Sequence, residues 1–206
     1  MHSENAVAVF ARPPVSGQVK TRLAATLGAD SALEIYRQLL DRTLQQATAS
    51  GFTVVLFAAS ESAELSRLAA SYGATLTIQQ GSGLGERMVR AFAQMHERFA
   101  RVLLVGSDCP VLTAAHLHQA MEQLADTGLV MGPAEDGGFW LLGSAMPALW
   151  RQPALLNEVE FGAARARAMT LSELQRRGVD VSMLPLLWDL DTEPDYRRAR
   201  SMGLLR

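Results

Sequence analysis

The hydrophobic positions of this chain follow two alternating patterns. Runs that are apolar throughout, such as residues 6–11, 52–58 and 102–105, predict strands that are buried on both faces. Between these runs, apolar residues recur three and four positions apart, as in residues 36–47, which predicts amphipathic helices. Strands that alternate with helices in this way form a mostly parallel sheet covered on both faces. The pattern therefore predicts an α/β protein with three layers, α/β/α.

The last third of the chain follows this pattern less regularly. Phe139–Leu142 predicts a strand that is antiparallel or at an edge of the sheet. Thr170 and Glu173 predict a capping box just before a helix, and Thr192 with Asp195 predict a second one at the start of a terminal helix.

Composition excludes several classes of protein. The chain has 206 residues, of which 49% are hydrophobic and 19% charged, and we expect residues 1–206 to form a single domain. A net charge of −2 provides no overall field for nucleic acid or for an anionic membrane, so neither partner is expected. Cys109 is the only cysteine, the first residues do not resemble a signal peptide, and the apolar runs are too short to span a bilayer. We therefore expect a cytoplasmic protein.

A basic loop follows the first predicted strand. It carries Arg12, Lys20 and Arg22 together with Gly17, which permits close approach of the main chain to a ligand. Ligands of open parallel sheets gather at the carboxyl ends of the strands, so this position favours a phosphate cradle over a solvated basic loop. The spacing of Gly17 and Lys20 differs from that of a P-loop, and a kinase-type site is not expected.

A second glycine-rich segment, residues 81–88, precedes another predicted helix. Gly85 and Arg87 could place backbone amides and a guanidinium beside an anion at the N-terminus of that helix. A turn without any ligand explains the glycines equally well, because the segment lacks the third glycine of a dinucleotide-binding motif.

Carboxylates follow two of the predicted strands. Asp108 comes after residues 102–105, and Asp191 lies between the last predicted strand and the terminal helix. Carboxylate oxygens suit Mg²⁺ or Mn²⁺, and a carboxylate at the end of a buried strand requires a partner. We predict that Asp108 and Asp191 approach one point and hold the ion when a nucleotide is present. Asp189 could share their side of the chain or be solvated.

A further acid, Asp136, precedes a pair of glycines and Phe139. An ordinary turn explains this pattern. If the turn borders a cleft, the Asp136 carboxylate could accept hydrogen bonds from sugar hydroxyls or take a proton from an attacking hydroxyl. We predict the binding role, because an aspartate of ordinary pKa is a weak base at neutral pH.

Taken together and in order, five segments resemble one family. The segments are Phe10–Leu23, Gly85–Met88, Gly106–Pro110, Gly132–Gly138 and Asp189–Asp195. They resemble the bacterial glycosyltransferase-A-like family of nucleotide-diphospho-sugar transferases, some members of which are linked to arsenosugar biosynthesis. The first segment is also similar to the signature loop of molybdopterin and lactyl-phosphate nucleotidyltransferases, which share the fold.

The resemblance implies a transferase with a glycosyltransferase-A fold that acts at a nucleotide-linked pyrophosphate with Mg²⁺ or Mn²⁺. The implied roles are phosphate binding by Arg12, Gly17, Lys20, Arg22, Gly85 and Arg87, metal ligation by Asp108 and Asp191, and catalysis by Asp136 and Lys20. The leading expectation is glycosyl transfer from a nucleotide-sugar to a small-molecule acceptor. One alternative is nucleotidyl transfer from a nucleoside triphosphate to a phosphorylated small molecule with release of pyrophosphate. A second alternative is nucleotide binding without turnover.

Two segments depart from the family's pattern, and in the first this chain has Ser82-Gly83-Leu84-Gly85 where the family carries Gly-x-Asp-Leu-Gly. In the second, the family carries Trp-[Gly/Ser]-Thr where this chain has Phe161-Gly162-Ala163. The difference removes a ring N–H donor and a hydroxyl from the side of the cleft that the family uses for the sugar or the acceptor.

Overall fold

A seven-stranded sheet forms the centre of the computed structural model, which describes residues 4–152 and 154–205. The strands are β1 (Asn5–Ala11), β2 (Thr53–Ala58), β3 (Thr75–Ile78), β4 (Arg101–Val105), β5 (Leu129–Pro133), β6 (Phe139–Ser144) and β7 (Ser182–Met183). The helices are α1 (Thr21–Leu27), α2 (Ala29–Ala49), α3 (Ala63–Ser71), α4 (Leu84–His96), α5 (Ala114–Thr127), α6 (Ala166–Gln175) and α7 (Glu193–Ser201), with a 3₁₀ turn at Leu149–Arg151. The predicted α/β class is confirmed.

The strand order is β3-β2-β1-β4-β6-β5-β7, and every pair is parallel except the two that involve β6. The predicted antiparallel direction of β6 is confirmed, but β6 lies inside the sheet, between β4 and β5. The turn between β5 and β6 is too short for a crossover helix, so the chain must reverse direction there. At this turn Gly137 has φ 89°, and a Cβ on it would collide with the carbonyl of Ala164.

Apolar side chains on the two faces of the sheet form separate cores. Val7 and Val9 of β1 pack towards α2, α3 and α5, whereas Ala6 and Ala8 pack towards α4 and α6. Because both faces are covered, β1 is apolar at nearly every position. A third, smaller core joins α1, α2 and α7 around Leu23. The predicted three layers are confirmed.

Two local predictions turn out differently, and one holds. Residues 21–27 form a helix, α1, in a segment for which only a phosphate loop is predicted. Thr170 and Glu173 make no capping box, because α6 already begins at Ala166 and the Thr170 hydroxyl donates to the Ala166 carbonyl one turn back, at 2.8 Å. The capping box of Thr192 and Asp195 at the start of α7 is confirmed.

Across the described ranges, no helix combines the length and the apolar character needed to cross a membrane.

Replacement of Gly85 by alanine tests whether this residue serves packing or ligand binding. Gly85 is buried in α4, and a Cβ there would strike the backbone carbonyl of Leu156. Alanine gains about 1 kcal/mol of helix propensity, but a clash with backbone typically costs about 1–3 kcal/mol. We expect a net loss of stability for Gly85→Ala in chemical denaturation.

The control for Gly85→Ala is Gly83→Ala, at the residue that precedes α4. Among the described residues, none beyond its chain neighbours comes within 4 Å of a Cβ built on Gly83. The loss of stability of Gly83→Ala should stay below about 1 kcal/mol, the typical cost of a change at an N-cap. Equal stability of the Gly85 variant and the parent protein would contradict the packing role.

Candidate active site

A cleft of about 650 Å³ opens at the edge of the sheet where β1, β3 and β4 end. The predicted site residues that line it are Arg12, Lys20, Arg22, Arg87, Asp108, Asp136 and Asp191. These residues come from loops and from the first turns of α1 and α4, far apart in the sequence, and the parallel strands bring them to one edge. The cleft thus unites most of the residues that the sequence singles out.

The ammonium group of Lys20 lies at the base of the cleft, between two carboxylates. Its Nζ is 2.6 Å from Oδ1 of Asp108, 3.0 Å from Oδ1 of Asp191 and 2.6 Å from the carbonyl oxygen of Leu190. The Lys20 side chain is only 4% exposed. Burial disfavours the charged ammonium, but the two carboxylates outweigh it and raise the pKa of Lys20.

The N–H donors of Lys20 are occupied in this arrangement, and its predicted contact with phosphate stays a prediction. An ammonium group has three N–H donors, and the three neighbouring oxygens use all of them. Lys20 therefore serves the carboxylates of Asp108 and Asp191 as their buried counter-ion.

Asp108 and Asp191 both contact the Lys20 ammonium, which places the two carboxylates close together. The backbone N–H of Leu190 also donates to the carbonyl of Asp108 at 2.9 Å, which ties the two loops together independently of Lys20. The Asp108 and Asp191 side chains are 46% and 37% exposed towards the cleft, so each keeps carboxylate oxygen accessible. This donor set fits Mg²⁺ or Mn²⁺. Within the described residues, no group of three or more His, Cys, Asp or Glu forms a ready-made metal cluster.

Asp189 adds a third carboxylate to this edge of the cleft. It is half-buried and lines the cleft, so it is not the solvated residue of the alternative prediction. Burial, with the charges of Asp108 and Asp136, raises the pKa of Asp189 to about 7 even though the Lys20 ammonium lowers it. The negative charge of the cluster thus exceeds what Lys20 neutralises, which favours a cation.

Arginines face the carboxylates from the other parts of the cleft. Arg22 approaches Asp191 at 3.7 Å but is 72% exposed. Arg87 donates through Nε to the carbonyl of Gly81 at 3.0 Å. Within the described part of the chain, neither Arg12 nor Arg87 forms an ion pair. Guanidinium groups that border a cleft without an acidic partner suit an anionic ligand.

The structure places two predicted phosphate-binding glycines elsewhere. Gly17 does not line the cleft; it supplies a left-handed turn, with φ 76°, in an exposed part of the basic loop. Gly85 is also absent from the lining, because it is buried against Leu156. Glycine permits both a ligand contact and a turn or close packing, so the sequence pattern alone cannot separate these roles.

Asp136 borders the cleft at the turn between β5 and β6. Its Oδ1 accepts a hydrogen bond from the N–H of Gly138 at 2.8 Å, as the turn explanation requires. The residue is exposed and lines the cleft, which leaves its other oxygen available. Phe139 and Phe161 stand nearby, with ring centroids 6.2 Å apart. The altered segment Phe161-Gly162-Ala163 therefore lines the cleft on the side of Asp136.

Gln79 and Tyr36 are among the residues of the cleft that the sequence does not predict. Gln79, directly after β3, lines the cleft while its amide nitrogen donates to the carbonyl of Phe57 at 2.8 Å. Tyr36 reaches the cleft from α2 and bonds to the backbone of Arg12. The position of Gln79 after a strand is a signal that could have been used, whereas Tyr36 falls on the apolar stripe of α2 and looks like an ordinary core residue.

The fold and the site define a transferase of the glycosyltransferase-A type. The chain belongs to the family described as uncharacterized proteins conserved in bacteria (DUF2064), whose model matches residues 39–163. It is also 30% identical over 186 residues to phosphoenolpyruvate guanylyltransferase from Sphaerobacter thermophilus, an alignment that covers 85% of this chain and 84% of that protein.

Solved structures show the same type of fold. A provisionally assigned nucleotide-diphospho-sugar transferase from Desulfovibrio desulfuricans is 27% identical, with a TM-score of 0.83 over 98% of this chain and 94% of that one. Glucosyl-3-phosphoglycerate synthase from Mycobacterium tuberculosis, solved with Mn²⁺, uridine diphosphate and glucosyl-3-phosphoglycerate, is 12% identical. Its TM-score is 0.57 over 98% of this chain and 77% of that one, which shows a common fold. The predicted resemblance, fold type and transferase class are confirmed.

Replacement of Lys20 by methionine tests its role as counter-ion. The change leaves two carboxylates facing each other without their cation. Loss of one member of a buried ion pair costs about 3–5 kcal/mol, and the partial exposure of Asp108 and Asp191 reduces this to about 1–3 kcal/mol. We expect that loss in urea denaturation at neutral pH. The pKa of Lys20 is raised in the folded state. Its contribution to the free energy of unfolding is therefore complete at neutral pH and is lost only as the pH rises through that raised pKa.

The matched control is Arg22→Met, which removes an exposed cation 3.7 Å from the same Asp191. Its cost should stay below about 1 kcal/mol. A Lys20 variant as stable as the parent would show that the carboxylates do not depend on this ammonium.

Proposed function

We propose that this protein is a metal-dependent nucleotidyltransferase. It transfers a nucleotide from a nucleoside triphosphate to an anionic, phosphorylated small molecule and releases pyrophosphate. The observation that carries the proposal is a single cleft in which Asp108 and Asp191 converge beside Arg12 and Arg87, two arginines that form no ion pair with any residue the structure describes.

Charge supports nucleotidyl over glycosyl transfer. A triphosphate carries more negative charge than the diphosphate of a nucleotide-sugar, and Arg12, Arg22 and Arg87 all border the cleft. The similarity to phosphoenolpyruvate guanylyltransferase supports the same reaction class. Glycosyl transfer is the second candidate, favoured by the likeness to the Desulfovibrio desulfuricans structure.

In the proposed reaction, an oxygen of the acceptor's phosphate attacks the α-phosphorus of the triphosphate. A new P–O bond forms while the bond from the α-phosphorus to the bridging oxygen breaks, and pyrophosphate leaves with that electron pair. Arg12 and Arg87 bind phosphate oxygens and neutralise the charge that develops on the leaving group. Positioning and charge neutralisation thus account for most of the catalysis.

Asp108 and Asp191 would hold the divalent ion, Mg²⁺ or Mn²⁺. When bound, the ion supplies Lewis-acid stabilisation of the phosphates. Lys20 keeps the two carboxylates at one point and so organises them before the substrate arrives. In this proposal Lys20 acts as a positioning residue.

Asp136 binds the acceptor in this proposal. A phosphate oxygen is already ionised at neutral pH, so no base has to remove a proton from it. The carboxylate oxygen of Asp136 that is not used by Gly138 accepts a hydrogen bond from an acceptor hydroxyl. The partners are then a nucleotide and a small molecule, which suits a cytoplasmic enzyme.

Product analysis distinguishes the candidate functions. The protein is incubated with Mn²⁺ and either nucleoside triphosphates with phosphorylated acceptors or nucleotide-sugars with the same acceptors. Nucleotidyl transfer releases pyrophosphate only when an acceptor is present. Release of nucleoside diphosphate from a nucleotide-sugar would replace the proposal by glycosyl transfer, and stabilisation by nucleotide without any turnover would indicate a binding protein.

Replacement of Arg87 by alanine tests the phosphate-binding side. A hydrogen bond to a charged group contributes about 1.5–3 kcal/mol, so we expect nucleotide affinity to fall about tenfold or more by calorimetry. The control is Arg90→Ala in the same helix, because Arg90 is exposed and pairs with Glu86 outside the cleft. Equal affinities of the two variants would exclude Arg87 from the site.

Replacement of Asp136 by asparagine tests the acceptor side. Asparagine keeps a side-chain oxygen that can accept from the N–H of Gly138, so the turn and the stability should be retained. We expect a large loss of turnover with nucleotide affinity unchanged, because the phosphates bind elsewhere in the cleft. Normal turnover in this variant would return Asp136 to a purely structural role in the turn.

A further inference from the structure

One buried hydroxyl lies between the two halves of the nucleotide site. Tyr36 extends from α2 and is only 3% exposed. Its hydroxyl accepts a hydrogen bond from the backbone N–H of Arg12 at 2.8 Å and donates to the carbonyl of the same residue at 2.9 Å. The side chain of Ser107, which lines the same cleft, is a further hydrogen-bonding neighbour of this hydroxyl. Tyr36 thus contacts the segment after β1 and the segment after β4 with a single atom.

These two segments carry groups proposed to bind different ligands, phosphate for the first and the metal ion for the second. Arg12 is the first residue after β1 and brings its guanidinium to the cleft, while Ser107 immediately precedes Asp108. The backbone ladder between β1 and β4 ends at Val9 and Val105, before either segment begins. Beyond that point the Tyr36 hydroxyl provides a direct side-chain link between them.

We infer that Tyr36 is a positioning residue that couples nucleotide binding to metal binding. It sets the position of Arg12, on the phosphate side, relative to Asp108, on the metal side. A ligand that orders one segment then orders the other through the shared hydroxyl, and such coupling is reciprocal. The inference rests on the proposed function, since it assumes that the cleft holds a nucleotide and a divalent ion together.

Loss of the Tyr36 hydroxyl should separate the two segments without removing any group proposed to touch a ligand. Tyr36→Phe retains the buried ring in α2. It leaves the N–H and the carbonyl of Arg12 without their partner, which frees the start of the basic loop. The Arg12 guanidinium and the Asp108 carboxylate both remain. Binding of each ligand alone should therefore change less than the effect of one ligand on the other.

The experiment measures the dissociation constant of a non-hydrolysable nucleoside triphosphate by calorimetry, with Mn²⁺ and with chelator. The ratio of the two constants reports the coupling. For Tyr36→Phe we expect the ratio to fall about fivefold or more, within the usual range of coupling between sites. The control is Tyr72→Phe, which removes a hydroxyl that bonds to Asp41 at 2.7 Å outside the cleft. That control should keep the ratio of the parent.

A second variant, Ser107→Ala, breaks only the connection to the segment after β4. It should also lower the ratio while leaving the metal-free affinity intact, and it tests the inference should the Tyr36 variant fold poorly. A ratio unchanged in both variants, with only the melting temperature lowered, would overturn the inference and leave the proposed function standing. A parent protein whose nucleotide affinity does not respond to Mn²⁺ would overturn both.

Discussion

The candidate site depends on one ion cluster, in which the buried Lys20 ammonium joins the partly exposed carboxylates of Asp108 and Asp191 and the carbonyl of Leu190. Lys20 has φ 47° and ψ 45°, a left-handed conformation unusual for a residue with a side chain. Such a backbone costs about 1–3 kcal/mol and persists only where the surroundings enforce it. Here the two carboxylates and the carbonyl enforce it, so the cluster determines how the chain leaves the basic loop and enters α1.

The same cluster connects distant parts of the chain. Lys20 and Asp191 are 171 positions apart, so the site forms only when the segment before α7 has docked. That segment is held by its own contacts: Asp195 accepts from the backbone N–H of Asp191 at 3.1 Å, and Arg198 lies 4.3 Å from the centre of the Trp188 ring. Arg198 also pairs with Glu135, next to Asp136. The terminal helix thus supports both the Asp191 side and the Asp136 side of the cleft.

The sequence predicts much of the fold because a three-layer sheet imposes simple periodicities. Strands buried on both faces must be apolar throughout, and residues after parallel strands must meet at one edge. These two constraints suffice to bring Arg12, Asp108 and Asp191 together, since each follows a strand or precedes a capped helix.

Other features depend on contacts between residues far apart in the sequence, which no local pattern indicates. The partner of Lys20 is decided by residues far away in the sequence, so its role as counter-ion cannot be separated from phosphate binding before the fold is known. The same limit applies to Gly17 and Gly85, since a glycine permits a turn, close packing or a ligand contact equally. The role of Tyr36 cannot be predicted for a different reason. Its ring lies on the apolar stripe of α2, as that of a core residue would, and only its hydroxyl reaches the cleft.

The proposed function requires that Asp108 and Asp191 act as a pair on one divalent ion. Electron paramagnetic resonance of Mn²⁺ titrated into the protein with a nucleoside triphosphate tests this directly. We expect Asp108→Asn and Asp191→Asn each to weaken Mn²⁺ binding, and the double variant to lose less affinity than the sum of the two single losses, because the first substitution already disrupts the shared site. An Mn²⁺ affinity that is unchanged by both substitutions would contradict a shared metal site at Asp108 and Asp191.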